Sequence, residues 1–432
     1  MPESLTQRGH SLPGFDGNQR FRTVCSQCRM PTPPGFHSSC PDCGELVDIE
    51  YDLSAVHLHE SRNPYLRFRD LLPVADHRLL PRKAEFTPLI HASQLGESLG
   101  LPWLFLKNET ALPTGTTKDR MAAVGLAYLY ECGVREFCTS STGNSSTAYG
   151  HAMAQFPDMR MTLLTAEHFC HRVQFDPSPR VTEFALRGAT FVEAFREAGD
   201  FARRRGFVPE RGFFNPGRRE GLKMVWLEAA EQSPRPIDWY VQAVSSAMGV
   251  FGAYKAANEL KHLGRIDRLP RLLCVQQETC SPMVAAWRDN SETIQPEHIV
   301  KHPTGIAAAI LRGDPTYAYP HIRRIVMESR GGFEAVSERE IRDARRLVED
   351  LEGVSPCFSA STAVAGLIRA ARGGEIPAED TVVINLTGSD RSAQERNARI
   401  HWLSRTPQGW EPEDPQDEEA HALWHGEGNT VR

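Results

Sequence analysis

The sequence contains no uninterrupted apolar run that approaches the ~20 residues an α-helix needs to cross a bilayer. Its first fourteen residues also lack the apolar centre of a secretory signal peptide. Basic residues are not in excess, because 49 lysines and arginines stand against 55 acidic residues and give a net charge of −6. We therefore expect a cytoplasmic protein that neither spans a membrane nor binds nucleic acid.

The chain of 432 residues is longer than one hydrophobic core usually supports, so we expect two or three domains. We find no internal repeat. Predicted strands and helices alternate along most of the chain, which is typical of parallel sheets covered by helices. In one stretch the alternation predicts a strand at 160–164, a helix at 179–186, a strand at 190–192 and a helix at 193–206. Ligands of such sheets bind at the carboxyl ends of strands.

Disulfide frameworks are improbable at this length, and four of the ten cysteines instead form two C-x-x-C pairs, Cys25 with Cys28 and Cys40 with Cys43. The pairs are separated by eleven residues that include three prolines and a glycine. Four thiolates at this spacing favour a structural zinc ribbon, because a closed ligand set leaves no position for a substrate. A degenerate ribbon without metal is the alternative.

Four polar turns follow predicted strands. The first is P-T-G-T-T-K-D-R, which contains Lys118. The second, at 140–147, opens a helix, so its amide groups can bind a carboxylate. The third, V-S-S-A-M-G at 244–249, suits a phosphate in the same way, and the fourth, T-G-S at 387–389, can present a hydroxyl group. Each turn alone is ambiguous, since most such turns and most lysines have no ligand.

In this order the motifs resemble those of the threonine-synthase branch of the tryptophan-synthase-β (fold type II) family of pyridoxal-phosphate (PLP) enzymes. The resemblance covers about residues 66–390. P-T-G-T-T-K-D-R is similar to the family's PT(G)SFKDR, S-T-G-N to SSGN, and N-P-G-R-R-E-G-L-K to NPYRLEGQK. V-S-S-A-M-G is similar to the glycine-rich phosphate loop, and T-G-S-D to the final TGxG. The stretch N-L-T-G-S-D-R also resembles the cysteate-synthase offshoot, which replaces phosphate on O-phosphoserine with sulfite.

The resemblance implies an α/β fold with two open parallel-sheet domains and, as in some members, an N-terminal zinc ribbon. We expect the ribbon at 1–50, a large PLP-binding domain at 51–135 and 211–405, and a small α/β domain at 136–210. The last segment, 406–432, is rich in proline and acidic residues and is expected to be an exposed acidic tail. A homodimer is the family expectation.

The resemblance also assigns roles to residues. Lys118 is the expected Schiff-base lysine and the residue that moves protons, Asn144 the partner of the ring hydroxyl, and Thr387 or Ser389 the partner of the pyridine nitrogen. The expected contacts of the cofactor phosphate are Ser245, Ser246, Ala247, Met248 and Gly249. The expected contacts of an amino-acid substrate are Ser141, Thr142, Gly143, Ser145, Ser146, Thr147, Arg180 and Arg218.

Some positions depart from the family pattern. Thr117 replaces a phenylalanine, and Ser245 and Ala247 replace two glycines of the phosphate loop. A residue with a Cβ atom is tolerated at these loop positions only where the backbone φ is not positive. The expected function is a PLP-dependent lyase or synthase that eliminates or replaces an activated, O-phosphorylated side-chain group of an amino acid. Cysteate-synthase-type replacement on O-phosphoserine is one alternative, and a catalytically inactive zinc-ribbon scaffold is another.

Overall fold

The computed structural model describes residues 20–391 and 398–426. The strands are β1 (Phe21–Cys25), β2 (Val47–Tyr51), β3 (Leu89–His91), β4 (Leu104–Asn108), β5 (Glu136–Thr139), β6 (Arg160–Ala166), β7 (Val181–Leu186), β8 (Val208–Pro209), β9 (Trp239–Ala243), β10 (Arg271–Gln277), β11 (Gly332–Val336), β12 (Val382–Leu386), β13 (Ile400–Thr406) and β14 (Gly409–Pro412). The helices are α1 (Pro64–Arg67), α2 (Ser93–Leu99), α3 (Lys118–Glu131), α4 (Asn144–Ala152), α5 (Phe191–Arg205), α6 (Pro216–Gln232), α7 (Met248–His262), α8 (Pro282–Arg288), α9 (Tyr319–Glu328), α10 (Glu338–Glu352), α11 (Phe358–Arg372) and α12 (Glu418–His425). Within these described ranges, none of the helices has the length and apolarity of a membrane span.

The first large sheet has the strand order β11-β10-β9-β12-β4-β3. Its neighbours are parallel except for β3 against β4. Strands β9 and β12 are buried along their whole length, as expected when helices cover both faces of a parallel sheet. The carboxyl ends of β9 and β12 therefore lie side by side, and the turns that follow them, at 244–247 and 387–389, come together.

The second large sheet has the order β14-β13-β7-β6-β5-β8 and is parallel except for β13 against β14. The turn after β5 leads into α4, whose first residue is Asn144. A separate antiparallel pair, β1 with β2, forms the N-terminal ribbon. The two open α/β sheets and the four-cysteine ribbon agree with the predicted fold class.

Two elements of the second sheet differ from the prediction. Within 179–186, predicted as helix, residues Val181–Leu186 form strand β7, because V-T-E-F-A-L carries β-branched and aromatic residues that pair with β6. Residues 190–192, predicted as a strand, instead begin α5. Thr190 caps this helix: its hydroxyl accepts the Glu193 amide at 3.2 Å, and the Glu193 carboxylate accepts the Thr190 amide at 2.8 Å.

The described C-terminal residues, 398–426, do not form an exposed tail. Strand β13 pairs in parallel with β7, so residues 400–405 belong to the second sheet and not, as predicted, to the large domain. Within the predicted tail, 406–432, Trp410 and Trp424 are buried, and the Trp424 indole donates to the Trp410 carbonyl at 2.7 Å. Trp424 also stacks on Phe201 of α5, with ring centroids 4.9 Å apart. The prediction rested on the acidic composition and overlooked these tryptophans, which pack the segment against the second sheet and its helix. Residues 427–432 lie outside the described part.

Candidate active site

Lys118 is the first residue of α3 and follows a tightly bound turn. The Asp119 carboxylate accepts the Thr114 amide at 2.7 Å and the Thr114 hydroxyl at 2.6 Å. The Thr117 amide donates to the Thr387 carbonyl at 2.9 Å. This hydrogen bond joins the turn before Lys118 to the turn after β12. It thereby fixes the relative position of the side chains that follow β4 and β12.

A cavity lies where the turns of both sheets meet. Its wall contains Lys118 together with residues of all four turns that the sequence singled out. The wall residues from these turns are Thr116, Thr117, Ser140, Ser141, Thr142, Asn144, Ser145, Val244, Ser245, Ser246, Ala247, Met248, Gly249, Thr387 and Gly388. Arg218, from α6, and Arg312, from the segment before α9, add two guanidinium groups to the wall. Most of the residues predicted for cofactor and substrate thus surround one space.

Two predicted contacts point elsewhere. Arg180 does not line the cavity, because its Nη1 donates to the carbonyls of Met153 at 3.1 Å and Phe156 at 2.8 Å. The Ser389 hydroxyl lies 3.5 Å from the Gly115 carbonyl rather than in the cavity wall, whereas Thr387 lines it. A motif resemblance predicts that such residues lie near a site, but it does not determine the direction of their side chains.

Three residues of the second turn stabilise it without lining the cavity. The Ser146 hydroxyl bonds to the Ser141 hydroxyl at 2.6 Å, and the Thr147 hydroxyl donates to the Gly143 carbonyl at 2.8 Å. Gly143 has φ +106, and a side chain there would collide with Arg172. These residues hold the turn in shape, and Ser141, Thr142 and Ser145 form its cavity side.

The pKa of Lys118 is lowered to about 8, first by burial of the amine and second by the positive charge of Arg218. Among the described residues, no carboxylate forms an ion pair with Lys118 to oppose this shift. A substantial fraction of the amine is therefore neutral near physiological pH, as a nucleophile and proton acceptor requires.

The turn at 244–249 leads into α7, which begins at Met248. The first amide groups of a helix have no hydrogen-bond partner within it and are available to bind an anion. Ala247 has φ +55, so this alanine adopts the left-handed conformation that a glycine would prefer. The strain costs about 1 kcal/mol. The expectation that a Cβ atom here requires a negative φ is therefore wrong for Ala247, while Ser245 does meet it.

Polar atoms without partners are concentrated in this wall. Thr117 Oγ1, Ser140 Oγ and Asn385 Oδ1 are buried, line the cavity and have no hydrogen-bond partner in the described part of the chain. Buried polar groups are normally paired. Together with a neutral amine and a helix N-terminus, these atoms fit a polar ligand that carries an aldehyde, a heteroaromatic ring and a phosphate.

Sequence reasoning missed two arginines. Arg391 donates through Nη2 to Asn144 Oδ1 at 2.8 Å and to the Arg172 carbonyl at 2.9 Å, which leaves the Asn144 amide group as a donor. It follows directly on the T-G-S-D motif, whose extension to N-L-T-G-S-D-R was the available signal. Arg312 follows a short 3-10 helix, Ala308–Ile310, in an otherwise irregular segment where no periodic pattern or motif marked it.

Comparison with known proteins identifies the family of the chain. A family model described as pyridoxal-phosphate dependent enzyme matches residues 82–388. The chain belongs to this family. The resemblance to the family and the predicted fold class are confirmed.

Two relatives indicate which enzymes of the family the chain is similar to, and a solved structure shows the same fold. The chain is 30% identical to threonine synthase of Methanosarcina acetivorans over 362 residues, which is 81% of this chain and 86% of that protein. It is 27% identical to cysteate synthase of the same organism over 394 residues, covering 85% and 92%. Maize serine racemase has the same fold, with a TM-score of 0.58 at 18% identity over 71% of this chain and 89% of that chain.

Proposed function

We propose that the protein is a PLP-dependent lyase or synthase that eliminates or replaces a phosphate group on the side chain of an amino acid. The charge of the cavity carries this proposal. Its wall contains three basic side chains, Lys118, Arg218 and Arg312, and no aspartate or glutamate among its described residues. Arg218 is paired with Glu210, which lies outside the wall, so Arg312 supplies the positive charge that has no ion-pair partner among the described residues. A site of this kind favours a ligand with several negative charges, such as a phosphorylated amino acid beside a phosphorylated cofactor. The threonine synthase and cysteate synthase relatives support the same substrate class.

The cofactor, when bound, supplies an electron sink for negative charge that develops at the substrate Cα. The chain's residues then have separate tasks. Lys118 would hold the cofactor covalently and, when its amine is released and neutral, would take and return protons at Cα and Cβ. The turn formed by Ser141, Thr142 and Ser145, at the start of α4, binds the substrate carboxylate. We assign Thr387 rather than Ser389 to the ring nitrogen because Thr387 lines the cavity; a hydroxyl there suits elimination and replacement better than transamination.

Substrate turnover tests the proposal. The reconstituted protein is incubated with O-phosphohomoserine and with O-phosphoserine, the latter with and without sulfite, and inorganic phosphate is measured. Release of phosphate from O-phosphohomoserine, or from O-phosphoserine only when sulfite is present, separates threonine-synthase-type from cysteate-synthase-type chemistry. O-acetylserine, whose side-chain ester carries no charge, serves as the control, with release of acetate measured in place of phosphate. A protein that releases phosphate from neither compound and cannot be loaded with PLP would instead be the inactive scaffold.

We also propose that Cys25, Cys28, Cys40 and Cys43 bind a structural zinc ion. Their sulfur atoms all lie within 4.8 Å of one another. The Sγ pairs Cys25–Cys43, Cys28–Cys40 and Cys28–Cys43 are 3.4, 3.8 and 3.9 Å apart. A tetrahedral Zn–S₄ site requires sulfur separations of about 3.8 Å. The distances therefore support one ion held by four thiolates.

Loss of this zinc is expected to destabilise the protein without removing its cofactor. Strand β2 of the ribbon packs against α6, where the Tyr51 hydroxyl donates to Glu220 at 2.6 Å. Cys40→Ser or a strong chelator should lower the melting temperature by roughly 5 °C. Visible cofactor absorbance and phosphate release should persist at moderate temperature. Cys170→Ser, outside the ribbon, is the control. Loss of activity with an unchanged melting temperature would contradict a purely structural role.

The remaining parts of the proposal concern organisation. All ten cysteines are free thiols, which supports a reducing, cytoplasmic location. We propose a large domain around the first sheet and a small domain around the second, with residues 398–426 added to the small domain, and a homodimer as in the family.

A further inference from the structure

Arg312 is carried by a long segment, 299–318, between the turn at Pro296–His298 and α9; its one regular element is a short 3-10 helix, Ala308–Ile310. Segments of this length inside a compact fold usually have a function. Its base is held closed, because the Val300 amide donates to the Gly313 carbonyl at 3.0 Å. A side chain at Gly313 would collide with the Val300 carbonyl. The residues between Val300 and Gly313 therefore form one closed loop.

The loop is fastened to both sides of the cavity. The Ala309 amide donates to the Ser359 hydroxyl at 3.2 Å, and the Ala309 carbonyl lies 3.5 Å from the Thr142 hydroxyl. Ser359 belongs to α11, which covers the first sheet, and Thr142 follows β5 of the second. The loop thus bridges the two sheets and holds Arg312 in the cavity wall between them.

The guanidinium of Arg312 lies beside two aromatic rings and forms no ion pair with any described residue. Its central carbon lies 5.8 Å from the Phe191 ring centroid and 5.7 Å from that of Phe195, and both rings line the cavity. Its one hydrogen bond within the described ranges runs from Nε to the Asp314 carbonyl at 3.2 Å. Burial, opposed by Asp314 and assisted by Arg218, lowers the pKa of Arg312 to about 10, so the group keeps its charge at neutral pH.

Arg218, the arginine that the motif suggested, is in the opposite situation. Its Nη1 pairs with Glu210 at 2.8 Å, its Nη2 donates to the Ser145 hydroxyl at 2.6 Å, and its Nε lies 2.8 Å from Met121 Sδ. Each nitrogen is thus engaged within the protein, and Glu210 neutralises the charge. Arg218 is therefore suited to positioning Ser145 rather than to binding an anion itself.

We propose that Arg312, seated against Phe191 and Phe195, binds the phosphate group of the substrate side chain and selects for its double negative charge. This inference rests on the proposed function and assigns the selecting residue within it. A phosphate monoester is largely dianionic at neutral pH and accepts the paired N–H donors that a guanidinium presents. The cofactor phosphate has its own place at the start of α7, so Arg312 remains available to the substrate.

The test compares the holoenzyme with the variants Arg312→Gln and Arg312→Lys, and with Arg339→Gln, whose side chain is 92% exposed, as a matched control. Two quantities are measured: KM and kcat for the phosphorylated amino acid, and the dissociation constant of inorganic phosphate from the change in cofactor absorbance. In Arg312→Gln both KM and the dissociation constant should rise about 10- to 100-fold, the size expected for losing hydrogen bonds to a charged group. Arg312→Lys should lose less, and Arg339→Gln should match the parent.

Failure of this inference differs from failure of the proposed function. If the parent releases no phosphate from any amino acid, the proposed function fails, and binding of inorganic phosphate still decides whether Arg312 forms an anion site. Equal phosphate affinity in the parent and in Arg312→Gln, or no phosphate binding by the parent, overturns the inference. If Arg312→Gln does not fold, as judged by its cofactor absorbance, Arg312→Lys decides: unchanged KM and phosphate affinity in that variant overturn it, and weakening of both supports it.

Discussion

Lys118→Ala is expected to yield a protein that no longer holds PLP covalently and whose kcat is lower by at least about 10³-fold, because the same amine binds the cofactor and transfers protons. The parent protein should be yellow, and its colour should survive gel filtration. Treatment with borohydride followed by peptide mapping should find the cofactor on Lys118. The variant should lose the bound colour on gel filtration.

The state of the Lys118 amine sharpens this expectation. Burial lowers its pKa to about 8, so covalent loading of the apo-protein should quicken as pH rises through 8, well below the range of an exposed lysine. Lys83→Ala, at an exposed position, is the control and should behave as the parent. A Lys118→Ala protein that retained non-dialysable cofactor would place the covalent bond on another residue.

Arg120→Leu is expected to lower the free energy of unfolding by about 3 to 5 kcal/mol, because it breaks a buried group of charges. Arg120 is almost fully buried and pairs with Glu109 at 2.6 Å and with Glu228 at 2.6 Å. It also donates to the Thr87 hydroxyl at 2.9 Å. Lys107 contacts Glu228 at 2.7 Å, so the variant would leave Glu109 buried without its direct partner. Urea unfolding measures the change.

The comparison that isolates this effect uses Arg339→Leu, which removes the same charge from an exposed position and should change the unfolding free energy by less than 1 kcal/mol. A loss below about 1 kcal/mol in Arg120→Leu as well would mean that the buried carboxylates find other partners. In P-T-G-T-T-K-D-R we propose the chemical role for the lysine, whereas Asp119 fixes the preceding turn and Arg120 connects α3 to Glu109 and to α6.

The candidate site was predictable from sequence to the extent that it depends on strand ends. Lys118, Asn144 and Thr387 follow strands of two parallel sheets, and parallel strands bring their carboxyl ends to one edge. Arg312 was not predictable in this way, because it lies in an irregular loop whose position depends on contacts by Ala309 to distant residues. Arg180 was misassigned because position in the chain does not show that its guanidinium bonds to carbonyls of a neighbouring turn.

The fold was predictable where local pattern and tertiary environment agree, as in β5, β9 and β12. It was not predictable at the C-terminus, where acidic and proline-rich composition outweighed a few buried aromatic residues. Trp402, Trp410 and Trp424 recur among these charges and were the overlooked signal, since large aromatic side chains seldom occur together in a solvated extension. Composition describes the exposed face of this segment, whereas its pairing with β7 depends on a strand more than 200 residues earlier.

That distant pairing has a consequence for how the protein is made. Strand β7 is complete once residue 186 has been synthesised, but its neighbour β13 begins only at residue 400. At 5 to 20 residues per second, one edge of the growing second sheet waits roughly 10 to 40 s for its partner strand. During that time the unpaired backbone of β7 is open to strands of other chains. The ribosome-bound nascent chain should therefore depend on chaperones until the last strands emerge.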